Sequence, residues 1–116
     1  MKIAVIVNED TAMRCTGAGC LKAFINKVDA FGDYPEETEL VGFTHSGGDL
    51  ERKIERFKKN DVDTIHLSSC MRSKHDDYVR LGQALSKDFN VIGYTHGGLE
   101  GKTRPTLRIK KGELKF

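Results

Sequence analysis

A chain of 116 residues has room for one domain around one core, and with 38% hydrophobic and 31% charged residues it stands apart from the disordered class. Its 19 Lys and Arg are interspersed with 17 Asp and Glu, and the resulting net charge of +2 carries no electrostatic footprint for nucleic acid. No stretch approaches the roughly 20 consecutive apolar residues of a membrane-spanning helix, so neither nucleic acid nor membrane is an expected partner.

The first apolar run, Ile3 to Val7, is rich in β-branched residues and reads as a strand. It is too short for a signal-peptide core. Asn8-Glu9-Asp10 stands where small cleavage-site residues would follow, and a cytoplasmic location is expected. From Gly19 to Phe31, apolar Leu21, Phe24, Ile25, Val28 and Phe31 recur at helical spacing, with Gly32 placed to end the helix. A second strand is expected at Leu40 to Phe43. The segment Asp49 to Lys59 has Leu50, Ile54 and Phe57 on one face and charges on the other, so it reads as an amphipathic helix with Asp49 as its N-cap.

Thr64 to Leu67 and Val91 to Tyr94 give the third and fourth strands, and a helix carrying Tyr78, Val79, Leu81, Leu85 and Phe89 lies between them. The Gly97 to Gly101 segment reads as a flexible loop. Beyond Pro105 the alternating Thr106 to Lys110 is a candidate edge strand, which Lys111-Gly112 could turn into a hairpin with Leu114 and Phe116. This alternation predicts a single α/β domain over residues 1–116: a three-layer, flavodoxin-like or Rossmann-like parallel sheet of four strands, with a C-terminal edge strand or hairpin.

In open α/β sheets, ligands bind beyond the carboxyl ends of the strands, and the reactive residues of this chain fall there. The first strand leads toward Cys15 and Cys20, the second to His45, the third to Cys70 and the fourth to His96. If the first and third strands are neighbours, Cys15, Cys20 and Cys70 share the crevice between them. An odd number of cysteines without a signal sequence is a poor disulfide framework, which leaves thiol chemistry, metal binding or plain core packing. Three thiolates with one imidazole, Cys15, Cys20 and Cys70 with His96 or His45, form a donor set that zinc accepts, and soft thiolates also suit iron or an iron–sulfur cluster. A second reading is thiol redox or sensing by the same cysteines, through a Cys15–Cys20 disulfide or a nucleophilic Cys70. His66, within a strand, and His75, at a helix start, read as structural or exposed.

A third reading is a small-anion site, since Thr16-Gly17-Ala18-Gly19 between a strand and a helix resembles an anion-binding turn. The chain lacks a P-loop ending and a full GxGxxG pattern. Leu21 and Asp76 occupy the positions at which a cysteine-dependent phosphatase would carry its arginine after Cys15 and Cys70. No substrate, base and orienting partner can be named together, so no enzyme class is assigned.

The ordered set Arg14-Cys15-Thr16-Gly17-Ala18-Gly19-Cys20, Leu40-Val41-Gly42-Phe43-Thr44, Gly47-Gly48, Ile65-His66-Leu67-Ser68-Ser69-Cys70-Met71 and Thr95-His96 resembles the CGGC domain family, small prokaryotic α/β domains named for a Cys-Gly-Gly-Cys motif. The resemblance implies a metal-binding role, and it carries over to Cys15, Cys20, Cys70 and His96. In the name-giving motif this chain departs: Ser46 and Asp49 stand where the family has cysteines, and a further family cysteine is replaced near Lys74 and His75. Asp49 retains an anionic oxygen, although an N-cap is the simpler role for it.

Overall fold

The computed structural model describes residues 1–113. Its elements are β1 (Lys2–Val7), a one-turn helix α1 (Glu9–Ala12), α2 (Ala18–Ile25), a 3₁₀ turn (Asp29–Phe31), β2 (Glu39–His45), α3 (Leu50–Lys59), β3 (Thr64–Leu67), α4 (Ser69–Lys74), α5 (Tyr78–Leu85), β4 (Asn90–Ile92) and β5 (Arg108–Ile109). The sheet order is β2-β1-β3-β4-β5. The first four strands are parallel, and β5 runs antiparallel to β4. This is the expected flavodoxin-like order, extended by the candidate edge strand into a mixed sheet. β1 and β3 are neighbours, with Ile3 opposite Thr64 and Ile6 opposite Leu67.

Alternation along β1 builds both faces of the sheet. Ala4 and Ile6 join Ile65, Leu67, Met71, Tyr78, Leu85, Phe89 and Val91 in the larger core beneath α3, α4 and α5. Ile3 and Val5 face the other way, against Ala23 and Phe31 on the α2 side. Burial of both faces explains why β1 reads as a continuous apolar run rather than an alternating one, and it buries even the polar Thr64 and His66 of β3. The Asp49 cap forms as expected: its Oδ1 accepts from the Arg52 N–H at 3.1 Å.

The helix expected from Gly19 to Phe31 is shorter. It ends at Ile25, the chain turns through Lys27 and Asp29 in left-handed conformations (φ 52° and 55°), and Phe31 is delivered by a 3₁₀ turn. The periodicity continued because Phe31 is wholly buried, where it meets Phe24 edge-on and the His66 ring at 4.5 Å. Gly32 closes that turn by donating to the Asp29 carbonyl, and does not end α2. The helical stretch between β3 and β4 is divided: α4 starts at the end of β3, ends at an extended His75 (ψ 123°), and α5 follows. β4 is shorter than expected: its parallel pairing with β3 ends at Ile92, opposite His66, while Gly93 still donates to the Leu107 carbonyl at 2.8 Å on the β5 side. Gly112 makes the expected turn (φ 78°); Leu114 and Phe116 of the expected hairpin lie outside the described residues. Among the described residues no helix is long and apolar enough to cross a membrane.

Candidate functional site

Three connections leave the carboxyl ends of β1, β3 and β4 and enclose a cavity of about 400 Å³. Cys15, Cys20, Cys70 and His96 all line it, together with apolar Val7, Ala12 and Phe43 and the polar Thr11, Ser68, Ser69 and Lys74. Three connections thus bring three thiols and an imidazole to one cavity.

Each thiol has its own surroundings. Cys15 is exposed on the loop between α1 and α2, where its Sγ accepts from the Gly17 N–H at 3.3 Å. Cys20 is the third residue of α2 and is buried, with its Sγ 3.1 Å from the Thr95 hydroxyl. Burial pushes its pKa above the ordinary thiol value; the Thr95 hydrogen bond opposes this, and the neighbouring Cys70 and Cys15 charges add to it.

Cys70 is the second residue of α4 and is partly exposed. Ser68 caps that helix by accepting from the Met71 N–H at 3.2 Å, and the same hydroxyl lies 2.8 Å from Cys70 Sγ. The main-chain N–H of Asn8, at the exit of β1, donates to the same sulfur from 3.4 Å. A Ser N-cap and a strand exit, far apart in sequence, thus converge on one thiol.

His96 is held by its neighbours. Ser69 Oγ donates to the His96 carbonyl at 2.6 Å and accepts from the His96 and Thr95 N–H groups at 3.3 Å, tying the β4 exit to α4. The imidazole lies against Gly19: a Cβ there would come within 2.9 Å of Nε2. Glycine at the start of α2 is what admits the ring.

His45 does not line the cavity. Its Nδ1 accepts from the Gly47 N–H at 3.0 Å, turned into its own loop. Lys53 Nζ binds the His45 and Gly47 carbonyls at 2.9 and 2.8 Å, and a side chain at Gly47 would collide with the Glu9 carboxylate. Ser46 Oγ accepts from the Glu9 N–H at 3.1 Å. Ser46 thus holds the β1 exit and Asp49 caps α3. His66 is buried in the sheet, and His75 ends α4.

Ser68, Asn8 and Thr95 hold the thiols yet have no sequence signature as site residues. Ser68 is visible only as a helix cap, and the other two act through long-range contact. As a metal test, the donor chemistry fits: soft sulfurs with an imidazole in a cavity with apolar walls. Among the described residues, no three His, Cys, Asp or Glu side chains are already grouped closely enough to hold an ion.

No curated protein and no solved structure matches the chain. The model of the CGGC domain matches residues 2–96, which run from the first strand through the last residue of the cavity wall. With that match over most of its length, the chain belongs to the CGGC domain family.

Proposed function

We propose that this protein binds a thiophilic metal ion, zinc or iron, in the cavity beyond β1 and β3, through Cys15, Cys20 and Cys70 with His96 as the nitrogen donor. One observation carries the reading: these four donors, carried by the three connections that leave β1, β3 and β4, line the same cavity. Family membership supports it. Cys20 and Cys70 are carried by α2 and α4, His96 is tied by the Ser69 contacts and Cys15 sits on an exposed loop; since no three of these donors are grouped closely enough as they stand, ligation requires the connections that carry them to close on the ion, the Cys15 loop included. When bound, the metal would supply Lewis acidity or a structural clasp. The chain's own residues orient the donors and keep the cavity wall apolar.

The test is anaerobic purification without a metal-affinity tag, followed by titration with zinc and with cobalt as a spectroscopic stand-in. Close to one equivalent per chain is expected, with a thiolate-to-cobalt charge-transfer band. Cys20→Ser and Cys70→Ser should each weaken binding by more than roughly tenfold. His45→Ala should leave it unchanged. Uptake below about a tenth of an equivalent, or uptake indifferent to both cysteine changes, would overturn the proposal.

A further inference from the structure

The three thiols differ in access as well as in surroundings. Cys20 is only 7% exposed, Cys70 is partly exposed at the cavity wall, and Cys15 is open to solvent on an irregular loop. Cys70 also has the donors that a developing sulfur charge requires. The Asn8 N–H donates to it from 3.4 Å, and the Ser68 hydroxyl 2.8 Å away has a proton that it can give to a thiolate, while its oxygen accepts from the Met71 N–H. The cavity beside it is of small-molecule size, with Val7, Ala12 and Phe43 as apolar surface and Lys74 as the one Lys or Arg among the described residues that line it.

We propose that Cys70 is the nucleophile of a thiol–disulfide exchange with a small, largely apolar organic disulfide bound in this cavity, and that Cys15 resolves the mixed disulfide. The inference does not rest on metal binding, and it concerns the metal-free protein. In the first step Cys70 gives its proton to water and the thiolate sulfur attacks one sulfur of R–S–S–R. The S–S bond breaks, one RS⁻ leaves and takes a proton from water, and Cys70–S–S–R remains. In the second, Cys15 gives its proton to water and attacks Cys70 Sγ; the bond from Cys70 to the bound SR breaks, and a second RS⁻ leaves and takes a proton from water. Two protein thiols are oxidised to a Cys15–Cys70 disulfide while one small disulfide is reduced to two thiols. Cys15 suits the second role because its only described side-chain partner is the Gly17 N–H two residues along its own loop. Cys20, which also lines the cavity, is the poorer nucleophile, because it is only 7% exposed and its burial disfavours the thiolate.

The experiment uses the full-length reduced chain with a chelator present and dithiodipyridine, a neutral aromatic disulfide, supplied at less than one equivalent. Two thiopyridones released per probe molecule, and a Cys15–Cys70 disulfide in peptide mass spectra, are expected. Quenching at early times should place the thiopyridyl adduct on Cys70 in the unmodified protein, a readout that needs no variant. Cys70→Ser should slow the first release by more than about tenfold, and Cys15→Ser should stop at one thiopyridone with the adduct trapped on Cys70. Relative to a free cysteine derivative, the rate advantage should be larger for dithiodipyridine than for oxidised glutathione, which is bulky and charged. An early adduct on Cys15, a Cys15–Cys20 disulfide as the main product, or an equal advantage for both probes would overturn the proposal. Failure of metal uptake would leave these outcomes unchanged, so the two proposals are separately testable.

Discussion

At the scale of single residues, the cavity wall was legible where chemistry-bearing side chains follow strand ends, as Cys15, Cys20, Cys70 and His96 do. His45 follows a strand end equally well, yet the Gly47 N–H and the Lys53 contacts settle its loop elsewhere. Nothing local distinguishes the two histidines, because the difference lies in which segment packs opposite. For His96 that segment is α2, at Gly19. Alanine at position 19 removes a glycine from a helix, which favours the helix by up to about 1 kcal/mol, but its Cβ must displace the His96 ring. Gly19→Ala is therefore expected to keep or raise the melting temperature while weakening zinc affinity by about tenfold. Thermal melts and metal titration on the same preparation decide it. Equal loss of both would mean that the glycine serves the fold alone.

At the scale of elements, strands and the α3 helix were readable because their patterns answer to one neighbour each. Leu50, Ile54 and Phe57 face the sheet, and Asp49 precedes them as a cap. The limits of α2 and the division between α4 and α5 were not readable, since apolar spacing persists through a turn whenever the residue beyond it is also buried, as Phe31 is. Position 49 tests whether the motif remnant is a cap or a ligand. Asp49→Ala should destabilise the protein by about 1 kcal/mol in chemical denaturation, with Asp49→Asn close to the parent. Metal uptake should be indifferent to both, because the Asp49 carboxylate is engaged with the Arg52 N–H and does not line the cavity. Lost uptake in the alanine variant, with the cap energy unchanged, would assign the carboxylate to the metal.

At the scale of the whole molecule, strand order followed from short βα units and right-handed crossovers, while the polar link between the sheet and the α2 layer could not be foreseen. His66 was expected to be structural or exposed, and it is the centre of that link. Its Nδ1 lies 3.0 Å from the Tyr94 carbonyl, which can only accept, so Nδ1 carries the proton and Nε2 accepts from the Tyr34 hydroxyl at 2.7 Å. This pairing requires a neutral ring. Burial lowers the His66 pKa to about 4, against the helping Tyr94 hydrogen bond and with the Arg108 charge acting in the same direction as burial. The unfolded chain takes up a proton below about pH 6.5 and the folded chain does not until about pH 4, so this group's stabilising contribution is complete above the first value and is lost as pH falls toward the second. The loss amounts to at most about 3 kcal/mol. Burial acts on Tyr34 in the opposite sense, raising its pKa to about 12, so its contribution is present below about pH 10 and disappears above it. Stability is thus expected to fall on both sides of a plateau, with the acid limb governed by His66. Urea denaturation at intervals from pH 7.5 to pH 4.5 should show that limb in the parent and a much flatter one in His66→Phe, whatever the absolute stability of the variant. An acid limb of the same steepness in both proteins would remove His66 as its cause.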